Sequence, residues 1–243
     1  MSITIEEALE EVLRDAKGLI LDIGCGRGGS IKHLLEQEID SSFIIGLDID
    51  IERLSEASNE FRELERVDLV YSSSSHLPFR GESLDTVSCI LLFHELFRDL
   101  VKPTLEEASR VLRRSGLFIV ADKIWVKADS PREDLPLLTE KVYHKAVYYA
   151  RGHRKWGVQK PESLIEAVTS TGFRLSRSLF ASSKILEPEE FFKFWGKDTY
   201  KMLEEINSEM HRDEILRGID KIKDIASKYG YGPTRFLIAI FRK

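Results

Sequence analysis

One stretch limits the possible folds of this chain more than any other: Asp22-Ile23-Gly24-Cys25-Gly26-Arg27-Gly28-Gly29. The residues leading into it, Gly18–Ile23 (GLILDI), form an apolar run of strand length. Those after it place Ile31, Leu34 and Leu35 at helical spacing. A glycine-rich turn that ends a buried strand and opens a helix is the setting of a nucleotide-type binding loop. Glycine serves there for two reasons. A β-carbon would hold a ligand off the backbone, and a tight strand-to-helix turn uses backbone angles that other residues avoid.

The same rhythm runs through the first half of the chain. Phe43–Ile49 (FIIGLDI), Val67–Ser72, Thr86–Leu92 and Gly116–Ala121 (GLFIVA) read as strands, with helices expected at about 51–64 and 104–113. Strands alternating with helices specify an α/β fold around a parallel sheet. An acidic amphipathic helix is expected over Met1–Lys17. Beyond Lys123 the rhythm changes. An aromatic helical stretch carries Tyr143, Tyr148 and Tyr149, a helix is expected over Pro161–Ser170, and a strand over Phe173–Phe180. Residues 187–228 read as almost wholly helical, with Ile215, Leu216, Ile219, Ile222 and Ala226 on one face. A Gly-Tyr-Gly-Pro turn then leads into a closing strand, Arg235–Phe241.

With 243 residues the chain is long enough for one large α/β domain with insertions. No apolar run approaches the roughly 20 residues of a membrane helix. The start of the sequence resembles neither a signal peptide nor a basic transit peptide, so a cytoplasmic protein without membrane insertion is expected. A net charge of −5 argues against a large nucleic-acid footprint. The densest basic stretch, Arg151–Lys155, fits a solvated helix end. Cys25 and Cys89 have no cysteine neighbour at metal-ligand spacing and read as packed, reduced thiols, with no metal called from sequence.

Asp48, at the end of the second strand, can accept two hydrogen bonds from a ribose diol, in a dinucleotide or an adenosyl cofactor alike. Glycine spacing leaves both open, because Gly24, Gly26 and Gly29 satisfy G-x-G-x-x-G while Gly24, Gly26 and Gly28 satisfy G-x-G-x-G. Asp22 discriminates. An anion there would repel a pyrophosphate and attract the ammonium group of a methionine moiety.

Here the chain resembles the class I S-adenosylmethionine-dependent methyltransferases, especially the small-molecule branch that includes the quinone-biosynthesis enzymes. LDIGCGRG resembles the first motif of that family, GLDID the second, and SSSSHLPFRGESLDTVSCILLFHEL the third and fourth-strand motifs. EASRVLRRSGLFIVAD and FLIAIFRK resemble the later elements. The resemblance implies a Rossmann-like, seven-stranded, mostly parallel sheet with helices on both faces. It also implies S-adenosyl-L-methionine as cofactor. Asp22, Gly24, Cys25, Gly26 and Gly28 would then surround the methionine part. Asp48 would hold the ribose, Ile49 would pack on the adenine, and Ser73 and Ser74 would read its edge. Cys89 and Ile90 would approach the sulfonium. Ser73 stands where an aspartate is common, and a neutral hydroxyl accepts more weakly than a carboxylate.

Methyl transfer depends chiefly on alignment, worth on the order of 7–11 kcal/mol, against roughly 3–5 kcal/mol for a positioned base. His94, in FHEL after the fourth strand, is the candidate base, with the packing or capping of that turn as its alternative role. Glu95 is a weaker candidate. His144 and His153 could reach the pocket only if their segment folds over it. The chain reads as one domain, 1–243, with insertions at 123–160 and 182–232 forming a helical cap for acceptor recognition. They carry Trp125, Tyr143, Tyr148, Tyr149 and Trp156 in the first, and Phe191, Phe192, Phe194 and Trp195 in the second. An aromatic lid implies a small apolar or aromatic acceptor. A protein or RNA methyltransferase, a non-catalytic cofactor-binding protein and a dinucleotide dehydrogenase remain the alternatives.

Overall fold

A computed structural model describes residues 3–37 and 42–243. Seven strands form one sheet in the order β3-β2-β1-β4-β5-β7-β6, the expected Rossmann-like arrangement. β1 (Leu19–Ile23), β2 (Phe43–Asp48), β3 (Val67–Tyr71), β4 (Leu84–Ile90) and β5 (Leu112–Lys123) run parallel to one another. β7 (Arg235–Arg242) is antiparallel and sits between β5 and β6 (Arg174–Ser182). Strand order reverses between β1 and β4, and the crevice at their carboxyl ends is where such folds place ligands.

The central strands are buried on both faces, which explains their nearly unbroken apolar sequences. Along β5, Phe118 and Val120 face one core while Leu117, Ile119 and Ala121 face the other. β7 repeats this, with Leu237, Ala239 and Phe241 against Phe236, Ile238 and Ile240. The first core takes α4 (Val101–Val111) and α6 (Pro161–Thr169). The second takes α1 (Ile5–Leu13), α2 (Gly29–Glu36) and α3 (Ile51–Phe61). A third apolar cluster lies off the sheet, among α5 (Pro131–Arg151), α7 (Pro188–Phe194), α8 (Lys197–Glu205) and α9 (Glu209–Tyr229). Phe191 anchors it, stacking on Trp195 and Tyr231.

Several boundaries differ from the sequence reading. The first helix spans only Ile5–Leu13, because Thr4 and Glu7 close a capping box at its start. Met1 and Ser2 lie outside the described residues. α4 begins at Val101, three residues earlier than expected, and β5 begins at Leu112 instead of Gly116. The segment 187–228 is broken twice. Trp195 is extended and Gly196 left-handed (φ 103°), and Ile206 is extended before the Ser208 cap. Among the described residues, no helix is long and apolar enough to cross a membrane.

Candidate active site

The turn between β1 and α2 holds Gly24, Gly26 and Gly28 at φ values of 77°, 53° and 86°. Their reasons for being glycine differ. A β-carbon on Gly24 would meet Leu92 at 2.6 Å, and one on Gly28 would meet the Phe61 ring at 2.2 Å. At Gly26 nothing but Arg53, 4.0 Å away, stands near. Packing demands the outer two, while Gly26 fronts open space. Its N–H donates to Asp48 Oδ2 at 2.8 Å, and Asp50 N–H donates to Asp48 Oδ1 at 2.9 Å. The carboxylate is thereby locked at the mouth of the turn with a lone pair on each oxygen unused. Beside it Ile49 and Ile51 are 63% and 61% exposed, an unusual position for large aliphatic side chains.

Asp22 is wholly buried and does not reach the open side. Its oxygens accept from Ser88 Oγ at 2.7 Å and from Ser30 Oγ at the start of α2. Burial pushes its pKa up to about 6, against the opposing pull of the two hydroxyls. Any effect on a ligand passes through its field and through Ser30. Cys25 is also buried, and burial with the nearby Asp22 and Asp48 charges raises its thiol pKa. Ser73 pairs with Ser75 at 3.0 Å and Ser74 with Thr104 at 2.8 Å, both in the turn after β3.

Cys89 requires a correction. It has no exposed surface and packs in the core, so its side chain does not open on the crevice. Ile90 is partly buried. Leu91, not singled out from sequence, is 42% exposed in the left-handed region at φ 56°. That conformation costs a leucine roughly 1–2 kcal/mol and is held by Leu91 N–H donating to Ala121 O at 2.7 Å.

A second group of side chains gathers at the ends of β4 and β5. His94 is buried, its Nδ1 2.5 Å from Asp122 Oδ1 and its backbone N–H 3.1 Å from Asp122 Oδ2. Burial opposes protonation of the ring, but the Asp122 carboxylate prevails and raises the His94 pKa. Nε2 faces the half-buried Glu95, whose Oε1 is 3.7 Å away. Burial would raise the Glu95 pKa; the His144, His94 and Lys155 groups outweigh it and hold the carboxyl well below its usual range. Lys155 lies 3.2 Å from Glu95 Oε2, and Lys123 2.5 Å from Glu140 Oε1. Burial raises the Tyr143 phenol to about 12.

Of the two cap histidines, His144 joins this group, 3.3 Å from Glu140 Oε2. His153 does not; it packs on Phe97 with ring centroids 5.1 Å apart. A cavity of about 260 Å³ opens beside the group, lined by Glu95, Lys123, Glu140, Tyr143, Trp195 and Asp198 among others. Asp122, Lys123, Glu140 and Lys155 were not singled out from sequence. The one available signal was the i, i+4 spacing of Glu140 and His144 on a single helix face.

Residues 21–120, from β1 into β5, match a family model described as a methyltransferase domain. An uncharacterized methyltransferase of Bacillus subtilis (strain 168), YodH, is 29% identical over 158 residues, 60% of this chain and 61% of the relative. An mRNA cap guanine-N(7) methyltransferase of Cryptococcus neoformans var. neoformans serotype D (strain JEC21 / ATCC MYA-565) is 25% identical over 118 residues, 42% of this chain and 19% of the relative. The chain thus spans less than two thirds of the length of the curated relatives it matches. A candidate methyltransferase from Bacillus halodurans C-125, solved by crystallography, shares the fold across 98% of both chains, with a TM-score of 0.66 and 16% identity.

Proposed function

We propose that the chain is a class I S-adenosylmethionine-dependent methyltransferase, transferring a methyl group to a small acceptor held between the carboxyl ends of the central strands and the helical cap. The observation that carries this reading is the bond from Gly26 N–H to Asp48 Oδ2, at 2.8 Å, beside open space and the exposed Ile49. It presents a fixed carboxylate and an apolar plate, suited to a ribose diol and a purine face. When bound, the cofactor supplies a methyl group on a sulfonium leaving group. The protein's task is to align the acceptor and control one proton.

Asp48 takes the ribose hydroxyls and Ile49 the adenine, with Ser73 and Ser74 at its edge. The turn of Gly24, Cys25, Gly26 and Gly28 lies along the methionine portion, and Asp22 balances its ammonium through the field and Ser30. Ile90 and Leu91 flank the sulfonium. His94 serves the reacting end of the acceptor by position, its ring fixed by Asp122 at Nδ1 so that Nε2 is turned towards Glu95.

Segments 123–160 and 182–232 act as the acceptor cap. The aromatic walls, Tyr143 and Trp195, suit an apolar or aromatic body like those of the quinone-biosynthesis branch. The charged floor of Glu95, Lys123 and Glu140 suits a polar reacting end. Acceptor methylation on RNA is the second reading, favoured by the name of the Cryptococcus relative.

Calorimetric titration tests the cofactor assignment. S-adenosylhomocysteine should bind and NAD should not, and Asp48→Ala should weaken binding at least tenfold. Binding of NAD alone would overturn the reading. Transfer of labelled methyl to capped RNA, with none to small hydroxylated or aromatic acceptors, would establish the second reading instead.

A further inference from the structure

We infer that His94, Glu95 and Glu140, with His144 beside them, form a binding site for a first-row divalent cation such as zinc or manganese. One ligand atom from each of His94, Glu95 and Glu140 lies within 4.8 Å of the others. Both carboxylates are divided in the same way. The outer oxygens carry lysines, Glu140 Oε1 with Lys123 and Glu95 Oε2 with Lys155. The inner oxygens face the histidines: Glu95 Oε1 is 3.7 Å from His94 Nε2 and 3.8 Å from His144 Nε2, and Glu140 Oε2 is 3.3 Å from His144 Nε2.

Hydrogen bonding alone does not account for that inner set. The two distances to Glu95 Oε1 exceed hydrogen-bond length. His144 Nε2 is buried, and its 3.3 Å approach to Glu140 Oε2 lacks hydrogen-bond geometry. Ligand atoms ~2.1 Å from one metal ion stand about 3.4 Å apart at the tetrahedral angle, close to the three spacings observed.

The surroundings resemble the outer shell of a metal site. Asp122 holds Nδ1 of His94 at 2.5 Å, which turns Nε2 inward, the carboxylate–histidine pairing that orients metal ligands. Lys123 and Lys155 pair with the outer oxygens of the two carboxylates from behind. Two imidazoles and two carboxylates suit zinc, manganese or ferrous iron better than magnesium, which favours oxygen ligands and retained water. The ligands come from the end of β4 and from α5, so the ion would tie the cap to the sheet. Glu95 and Glu140 also line the cavity, so an acceptor oxygen could complete the coordination; that last clause rests on the methyltransferase reading.

The test uses the full, tag-free chain after chelator treatment. Zinc, manganese and magnesium are titrated calorimetrically, bound metal is counted by mass spectrometry, and S-adenosylhomocysteine is titrated on the same sample. One equivalent of zinc or manganese should bind per chain. His144→Ala and Glu140→Gln should each weaken binding at least tenfold, while His153→Ala should leave it unchanged. Thermal melts verify folding of the variants. Metal binding without homocysteine-cofactor binding would sustain this site and defeat the methyltransferase reading. Cofactor binding with no metal bound at equimolar 100 µM protein and cation would do the reverse. Metal binding that survives both substitutions would also overturn the site.

Discussion

Replacing Asp22 with Asn separates what this residue does for the fold from what it does for the ligand. The carboxyl has no exposed surface, and its pKa is raised from 3.8 to about 6, mainly by burial. Between those values the folded chain retains a proton that the unfolded chain has released. Stability therefore falls as pH rises from about 4 to 6 and stays reduced above that. A displacement of about two pH units corresponds to about 3 kcal/mol. Asn removes the charge yet keeps the shape. The Ser30 and Ser88 hydroxyls, which donate to Asp22, can rotate to satisfy an amide. Asp22→Asn should therefore be the more stable protein above pH 6, by up to about 3 kcal/mol. At 2–4 °C per kcal/mol for a chain of this size, the gain is roughly 6–12 °C in Tm.

Thermal melts of both proteins from pH 4 to 8 test this, because the difference between the two curves cancels every other titrating group. The difference should grow between pH 4 and 6 and then level off. Titration with S-adenosylhomocysteine should show the opposite ranking at pH 7.5, with affinity at least tenfold lower in the variant. A variant less stable than the parent at pH 7.5, or a difference flat across the whole range, would refute the claim that Asp22 is a charge held at a cost to folding.

Gly28→Ala forces a β-carbon to 2.2 Å from Phe61 at φ 86°, and should lower stability by at least ~2 kcal/mol in denaturant melts. Gly26→Ala meets open space, so its stability loss should stay near ~1 kcal/mol while cofactor affinity falls, as calorimetry would show. Phe191→Ala removes the ring that joins Trp195 and Tyr231 and should cost about 3–5 kcal/mol of cap packing. Its steady-state signature is a raised KM for acceptor with unchanged cofactor affinity. Ile49→Ala, at a site 63% exposed, should change Tm little yet weaken S-adenosylhomocysteine binding.

How much of this was legible in the sequence follows from how local each signal is. The five inner strands could be placed because two-faced burial writes continuous apolar runs, as in Leu117–Ala121, while the edge strands β3 and β6 show only interrupted ones. The turn and Asp48 could be paired because they end adjacent strands of one repeating unit. The breaks at Gly196 and Ile206 were hidden inside a polar, helix-favouring composition, where only tertiary packing decides where a helix stops. The group around Glu95 was legible only in part, through His94, Glu95 and His144 taken singly, and its assembly was hidden for a different reason. His94, Asp122, Glu140 and Lys155 come from four separate segments, and no spacing rule connects them until β5 and α5 are laid side by side.

Conformational and electrostatic costs are not spread evenly through the molecule. The buried Asp22 charge, the left-handed Leu91, the positive φ angles of Gly24, Gly26 and Gly28, and the exposed Ile49 and Ile51 all fall at the carboxyl ends of β1, β2 and β4. Elsewhere along these strands, side chains alternate cleanly between two cores. A fold that only maximised stability would not set these particular features side by side at one crevice. A ligand that covers the two isoleucines and places a cation near Asp22 would offset several of them at once. Binding there should consequently raise Tm more in the parent than in Asp22→Asn. An equal rise in both would place the compensation on Asp48 and Ile49 alone, with Asp22 a structural charge.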